Sequence, residues 1–258
     1  MTDKTPTGIL QRFDDEYGGT FRKRPFLVSG ASKSGKTIAA FHYINRGLRL
    51  QERCLMLSTR PAADLLIQSE AMGLDFSKAV EDGRLILLEY SDDVPGRHSD
   101  TTITLPPDSF MQLARVISEQ AISRVILDTC LPWVAVRHAE HLDEHVFSFI
   151  RSLDRMGVTT MLTMPRAVSL AAARLYKLLE EQVPVSISLR EQDGTRVIVV
   201  NKYLGMDDKV GREIPFSILP GAGIVSTMSN HSEHSEAEPP QASSTAGVSF
   251  SNAVFGSA

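Results

Sequence analysis

Residues Gly30 to Thr37 have the types and spacing of a phosphate-binding loop. They read G-A-S-K-S-G-K-T and match the pattern G-x-x-x-x-G-K-[ST], in which glycines let successive backbone N–H groups point at an anion. We expect the Lys36 ammonium to reach the terminal phosphates and the Thr37 hydroxyl to ligate Mg²⁺. The candidate nucleotide-binding residues are Gly30, Ser32, Lys33, Ser34, Gly35, Lys36 and Thr37.

Such a loop needs a strand before it and a helix after it, and the sequence predicts both. Residues 25–28 form an apolar run typical of a buried strand, and residues 37–50 are helix-forming. The positive end of the helix dipole would then face the phosphates. We therefore expect the chain to bind ATP with Mg²⁺, although no base-reading motif separates ATP from GTP.

Strand and helix signals alternate along the rest of the chain. Apolar strands are predicted at 53–58, 84–90, 124–128 and 159–164, and helices at 61–72, 108–122 and 141–156, with a loop over 91–107. Segments 185–190 and 196–200 pivot on Asp193-Gly194 and predict an antiparallel hairpin, and one extended piece covers 214–225. The predicted fold class is α/β, with a mostly parallel central sheet flanked by helices and a C-terminal antiparallel hairpin.

Composition limits the classes of protein that this chain could be. Its 258 residues are 42% hydrophobic, yet no apolar run approaches the ~20 residues of a membrane span. A net charge of −4 without a long basic run argues against a nucleic-acid-coating protein. Cys54 and Cys130 lie in apolar runs and the N-terminus lacks an apolar signal segment, so we predict a reduced, cytoplasmic protein.

The chain is predicted to have three parts. Residues 1–24 are a lead-in, residues 25–226 are the nucleotide-binding domain, and residues 227–258 are a tail rich in Ser, His, Glu, Pro and Ala. Because the tail offers little apolar surface to bury, we predict that it is disordered.

Two acidic or histidine-containing features are candidate metal sites. Asp128 ends the strand predicted at 124–128, where its carboxylate would hold the Mg²⁺ shell beside the loop. The alternative is an ordinary acid at a strand end.

Residues 141–145, H-L-D-E-H, match the zinc-protease pattern H-x-x-E-H. No other ligand pattern supports zinc, so a charged helix start is the preferred interpretation of that match.

Several further segments occur in a characteristic order. T-G-I at 7–9, D-D at 14–15 and G-G at 18–19 precede the loop; A-M-G-L-D-F at 71–76, E-D-G-R-L at 81–85, R-V-I-L-D-T at 124–129, V-N-K-Y-L-G at 200–205 and P-F-S-I at 215–218 follow it. Together they resemble the KaiC-like branch of the RecA superfamily of ATPases over about residues 7–226. The resemblance implies a RecA-like P-loop NTPase fold and a homo-oligomeric ring, typically a hexamer, with ATP between subunits.

The family's catalytic positions differ in this chain. Its pair of glutamates after the second strand falls on Ser58 and Thr59, which cannot act as a general base at neutral pH. Its arginine in the last hairpin falls on Leu204, whereas Lys202 is kept and could supply a cation across a subunit interface. Losing a general base costs ~10²–10⁴ in rate, and losing an arginine finger costs ~10³–10⁵.

Three nearby residues could compensate. Asp64 and Glu89 are candidates for a replacement carboxylate, and Arg60 could hold the terminal phosphate or lie solvated at a helix start. The sequence favours an ATP-binding regulator or scaffold that assembles with nucleotide, binds a protein partner and hydrolyses ATP weakly or not at all. The alternatives are an active ATPase or autokinase and, against the negative charge, a DNA-binding recombination mediator.

Overall fold

The computed structural model describes residues 3–89, 107–130 and 141–227. Its strands are β1 (Lys4–Thr5), β2 (Thr20–Phe21), β3 (Pro25–Gly30), β4 (Cys54–Ser58), β5 (Leu85–Glu89), β6 (Arg124–Asp128), β7 (Thr159–Pro165), β8 (Val185–Gln192), β9 (Thr195–Tyr203), β10 (Glu213–Leu219) and β11 (Gly223–Ser226). Its helices are α1 (Gln11–Tyr17), α2 (Lys36–Arg49), α3 (Ala62–Ala71), α4 (Ser77–Glu81), α5 (Pro107–Glu119), α6 (Leu142–Met156) and α7 (Leu170–Gln182).

One nine-stranded sheet runs through the structure in the order β11-β10-β9-β8-β3-β7-β6-β4-β5. The strands from β8 to β5 in this order pair in parallel, and β9, β10 and β11 continue the sheet in antiparallel pairs. Parallel strands require crossover connections, and the helices supply them. The predicted α/β class with a mostly parallel sheet and a C-terminal hairpin is confirmed.

Helices cover both faces of the sheet, because the strands are apolar on both sides. In β3, Phe26 and Val28 join a core with α1 to α4, whereas Leu27 joins a second core with α5, α6 and α7. This alternation follows from the two-residue period of a strand, which sends successive side chains to opposite faces. Because β3, β4 and β6 run in the same direction in the sheet, their carboxyl ends lie along one edge of it.

The C-terminal strands differ from prediction in one respect. The hairpin turn is as expected, since Asp193 and Gly194 have φ values of 50° and 76°, the positive values that a two-residue type I′ turn requires. The single extended piece predicted over 214–225 is wrong, because residues there form β10 and β11, paired antiparallel around a turn. Gly223 begins β11 at a φ of 68°, which lets the chain reverse.

Helix α7 has no counterpart among the predicted elements, although its sequence carried a helix signal. It reads L-A-A-A-R-L-Y-K-L-L-E-E-Q, which is rich in strong helix formers. Ser169 caps it, accepting a hydrogen bond from the backbone N–H of Ala172 at 3.2 Å. Leu175 and Leu179 face the sheet and are buried, so the helix is held by tertiary packing as well as by propensity.

The lead-in is tied to the domain through a buried carboxylate. Asp14 accepts hydrogen bonds from the Thr7 N–H at 2.8 Å, the Thr7 hydroxyl at 2.7 Å and the Gly8 N–H at 2.7 Å. The hydroxyl of Tyr203 in β9 donates to the carbonyl of Tyr17 at 2.7 Å. The T-G-I segment at 7–9 and the D-D segment at 14–15 therefore have a structural role, because Thr7 and Gly8 donate hydrogen bonds to the Asp14 carboxylate.

Arg124, at the start of β6, is a fully buried cation with 1% of its surface exposed. Its guanidinium pairs with Glu52 and donates to the Thr5 hydroxyl at 2.9 Å and to the carbonyls of Pro6 at 3.1 Å and Tyr43 at 3.3 Å. A buried charge is stable only when paired and hydrogen-bonded, and Arg124 meets both conditions. It links the lead-in, α2 and the sheet.

In the part of the chain that the structure describes, no helix is both long and apolar enough to cross a membrane. Cys54 and Cys130 are both buried and unbridged, and burial raises the pKa of each thiol to about 12. Residues 91–106 of the predicted loop and residues 228–258 of the predicted tail lie outside the described residues.

Candidate nucleotide site

The phosphate-binding loop lies between β3 and α2, as the sequence predicts. Gly35 has a φ of 104° and Lys33 a φ of 63°, so the chain reverses over a few residues before α2 begins. A Cβ on Gly30 would lie 2.4 Å from the Oγ of Ser34, and a Cβ on Gly35 would lie 2.7 Å from the Cδ1 of Ile218. Gly30 is required by close approach, because a Cβ there would also lie 2.8 Å from the backbone carbonyl oxygen of Leu189, whereas Gly35 is required chiefly by its positive φ.

The Lys36 side chain is folded back into the loop. Its Nζ donates to the carbonyl of Gly30 at 2.8 Å and to that of Ala31 at 2.7 Å. Burial lowers the pKa of Lys36, and the charge of Asp128 partly opposes that shift. The ammonium is thus held at the mouth of the cradle, where phosphate oxygens would be better acceptors than two neutral carbonyls.

Asp128 lies across from the first turn of α2. Its Oδ2 accepts a hydrogen bond from the Thr37 hydroxyl at 3.3 Å, and its Oδ1 accepts one from the Thr163 hydroxyl at 2.8 Å. The structure therefore brings the two predicted Mg²⁺ residues together. Thr163, on the neighbouring strand β7, orients the carboxylate, and no motif in the sequence pointed to it.

Ser58 and Thr59 stand where β4 ends, beside this carboxylate. Ser58 pairs in register with Asp128, is 1% exposed, and its Oγ accepts the backbone N–H of Arg60 at 3.2 Å. The end of β4 thus presents hydroxyls and no carboxylate. Glu89 pairs with Ser58 from the other side, and its side chain is exposed, as is that of Asp64 in the first turn of α3.

The Arg60 guanidinium, by contrast, points into the site. Its Nη2 lies 3.9 Å from the Oδ2 of Asp128, and its Nη1 donates to the Oε1 of Gln68 at 2.7 Å. Arg60 does precede helix α3 and its side chain is 38% exposed, but the interpretation as a solvated arginine does not account for the approach of Nη2 to Asp128. The site thus contains the Arg60 cation in addition to the loop lysines Lys33 and Lys36.

Lys202 lies at the opposite edge of the sheet from its own loop. It pairs with Ser186 near the start of β8, whereas the loop residue Gly30 pairs with Leu189 farther along that strand. Its Nζ donates to the carbonyls of Glu180 at 2.9 Å and Glu181 at 2.8 Å, at the end of α7, and burial lowers its pKa. Action on a neighbouring subunit stays a prediction.

The two histidines of the H-x-x-E-H match have different surroundings. His145 is buried on the inner face of α6, whereas the Nδ1 of the half-exposed His141 lies 3.6 Å from a carboxylate oxygen of Glu144. Among residues 3–89, 107–130 and 141–227, no three His, Cys, Asp or Glu side chains gather as a metal site would need. The interpretation as a charged helix start fits His141 and Glu144 but not the buried His145.

The residues around the loop fit a nucleotide and Mg²⁺. The Oγ of Ser34 is buried inside the cradle without a hydrogen-bond partner among the described residues, so it has a donor to offer a phosphate. Thr37 and Asp128 present hard oxygen atoms side by side, the ligand type that Mg²⁺ prefers. Lys36 and the N-terminus of α2 would supply positive charge to the phosphates.

Comparison with known proteins agrees with this geometry. The sequence model of the family described as "ATPase: KaiC" matches residues 5–231. Circadian clock oscillator protein KaiC of Prochlorococcus marinus strain MIT 9313 is 28% identical over 226 residues, covering 84% of this chain and 45% of that protein. The protein of the same name from Thermostichus vulcanus is 24% identical over 229 residues, covering 86% and 44%.

The chain spans less than half the length of these curated relatives. The family match covers most of the chain, including the phosphate-binding loop, Asp128 and the C-terminal strands. The fold, the loop and the match agree, and the chain belongs to the KaiC ATPase family, with the RecA-like fold of a P-loop NTPase.

Proposed function

We propose that the chain is an ATP-binding regulatory or scaffold protein that turns ATP over slowly or not at all. ATP with Mg²⁺ would drive its assembly into a ring of six subunits, in the manner of the family, and the ring would present a surface to a protein partner. Its relatives are named as circadian clock oscillator proteins, which supports a regulatory role. A cytoplasmic location and the absence of a nucleic-acid partner are part of this proposal.

One observation carries the proposal: the residues expected to bind ATP and Mg²⁺ lie at the loop, whereas the position expected for a general base has hydroxyls. Lys36 donates to the carbonyl of Gly30 in the loop, and the Thr37 hydroxyl donates to Asp128. The end of β4, where a general base would stand, has Ser58 and Thr59. A hydroxyl at neutral pH cannot take the proton of an attacking water, so the site would retain ATP rather than cleave it.

Steady-state ATP hydrolysis at high protein concentration tests this proposal, with Lys36→Ala as the blank. We expect turnover close to the blank together with measurable ATP binding. Light scattering with and without ATP then measures assembly, which Lys36→Ala should abolish. If the Lys36→Ala variant assembles and binds its partner like the wild type, nucleotide does not control the protein and the proposal fails.

A second candidate function is an active ATPase or autokinase, which the position of Glu89 favours. Glu89 pairs in register with Ser58, and Ser58 pairs with Asp128, so the three lie in a row at the carboxyl ends of adjacent strands. Adjacent strands are ~4.8 Å apart, which puts the Glu89 backbone about two strand spacings from Asp128. Multiple turnovers that Asp128→Asn and Glu89→Gln both abolish would support this function.

A further inference from the structure

Two contacts hold Arg60, the residue that follows the end of β4 by two positions, one through its side chain and one through its backbone. Its Nη1 donates to the Oε1 of Gln68 at 2.7 Å, and its backbone N–H donates to the Oγ of Ser58 at 3.2 Å. With one nitrogen held by α3, the other, Nη2, is turned toward Asp128, whose Oδ2 lies 3.9 Å away. The orientation is therefore built by the surrounding residues.

The Nη2 atom has donor capacity that the described residues leave unused. It is shielded from solvent and makes no hydrogen bond to any residue in the described ranges. At 3.9 Å from Asp128 it forms an ion pair but is too distant for a hydrogen bond. Since a shielded donor without an acceptor is unfavourable, an acceptor that arrives with a ligand would be bound well.

The ligand that would bring such an acceptor is indicated by Thr37. Its hydroxyl donates to the same Asp128 oxygen that Nη2 approaches, at 3.3 Å. Nη2 therefore lies at the Mg²⁺ end of the phosphate-binding loop, where the terminal phosphate of a nucleotide would be held. A guanidinium is also the side chain best matched to phosphate oxygens.

The balance of charge at the loop points the same way. Among the described residues, the cations Lys36 and Arg60 both act on the carboxylate of Asp128, and Lys33 adds a further cation in the loop. Carboxylates near a triphosphate repel it, so that a divalent cation is needed to neutralise the negative charge. In this chain the two positions where the family has glutamates hold the neutral residues Ser58 and Thr59. A polyanion entering this site meets fixed positive charge before any metal ion binds.

We propose that Arg60 is a phosphate ligand that lets this chain bind a nucleoside triphosphate without a divalent cation. Without nucleotide, Arg60 is paired with Asp128; with nucleotide, its Nη2 donates to an oxygen of the terminal phosphate. Gln68 is a positioning residue, since it acts by holding the guanidinium. The inference rests on the proposed nucleotide binding and adds which ionic form of the nucleotide the site accepts.

Equilibrium binding of a fluorescent ATP analogue, measured in excess Mg²⁺ and in excess EDTA, tests the proposal. We expect the wild type to bind in both conditions, with less than about a tenfold loss of affinity in EDTA. Arg60→Gln should weaken binding in EDTA by roughly 10- to 100-fold, and binding in Mg²⁺ by less, because a charge-assisted contact is lost. Arg60→Lys should retain part of the EDTA binding, since it keeps the charge.

Arg84→Gln is the matched control. Arg84 has nearly the same exposure as Arg60, 35% against 38%, and pairs with Asp82 at 3.5 Å, but it precedes β5 at the opposite edge of the sheet. Its loss should leave both affinities unchanged. Wild-type binding that EDTA abolishes, with Arg60→Gln equal to the wild type in Mg²⁺, overturns the role of Arg60. Wild-type binding no better than that of Lys36→Ala in either condition overturns nucleotide binding itself.

Discussion

The Nε2 of His42 accepts a hydrogen bond from the backbone N–H of Ile224 at 2.8 Å, which joins the helix after the phosphate-binding loop to the last strand of the sheet. The contact needs the small residue before it, because a Cβ on Gly223 would lie 2.2 Å from that same nitrogen. An accepting Nε2 must be unprotonated. Burial, with a smaller contribution from the charge of Arg49, lowers the pKa of His42 to about 4.

This pKa predicts that acid destabilises the protein through His42. The unfolded chain has a histidine pKa near 6.5, so between pH 6.5 and about 4 it binds a proton that the folded chain does not. The stability that neutral His42 contributes is present in full above pH 6.5 and is lost as the pH falls through that window. The loss reaches roughly 2 kcal/mol at pH 5. Urea unfolding at pH 7 and pH 5 measures it.

His42→Gln is the variant for comparison, since its amide oxygen can accept from Ile224 and does not titrate. Its free energy of unfolding should change less between pH 7 and pH 5 than that of the wild type, by roughly the same 2 kcal/mol. Equal changes in the two proteins would show that other groups cause the acid sensitivity.

A backbone contact between Gly73 and Gly221 predicts a sharp difference between two glycine substitutions. Gly73 and Gly157 both end helical segments with a positive φ, 76° and 68°. A Cβ on Gly73 would lie 2.1 Å from the carbonyl oxygen of Gly221, whereas one on Gly157 would meet nothing within 4 Å. Gly73→Ala should therefore cost about 1–3 kcal/mol more than Gly157→Ala in urea unfolding. Equal losses would mean that the loop around Gly221 moves away freely.

The buried ion pair of Arg124 and Glu52 predicts strongly non-additive mutations. Removing the carboxylate alone, as in Glu52→Leu, leaves Arg124 buried without a counter-charge and should cost about 3–5 kcal/mol. Adding Arg124→Met removes the stranded charge, so the double variant should be more stable than Glu52→Leu. A double-mutant cycle by thermal or urea unfolding measures the coupling, and additive losses would contradict a charge-based effect.

A carboxylate restored at the end of β4 should raise ATP hydrolysis, if its absence is what limits turnover. Thr59 is only half-buried there, so Thr59→Glu can be accommodated more easily than a change at the buried Ser58. We expect turnover to rise by about 10-fold or more, because a general base contributes 10²–10⁴ in favourable cases. Thr59→Gln has the same shape without the base, and equal rates in the two variants would contradict the explanation.

The local chemistry of this protein could be predicted from its sequence. The loop pattern placed the phosphate cradle between a strand and a helix, the apolar runs placed β3, β4, β6 and β7 within a residue or two, and Asp193-Gly194 placed the hairpin. Each of these depends on neighbours in the chain: a turn needs positive φ, and a buried strand needs consecutive apolar residues. The sequence likewise showed that Ser58 and Thr59 occupy the two positions at which the family has glutamates.

The tertiary structure alone decided which distant residues meet at the site. Thr163 orients Asp128 because β7 lies next to β6, and Arg60 approaches Asp128 because β4 lies on the other side of β6. Strand order is set by packing helices on both faces and not by any local pattern, so the sequence left two interpretations of Arg60 open and gave no signal for Thr163. For the same reason the sequence determined that a phosphate-binding loop is present, and only the fold decided between the two interpretations of Arg60 by directing its guanidinium at Asp128.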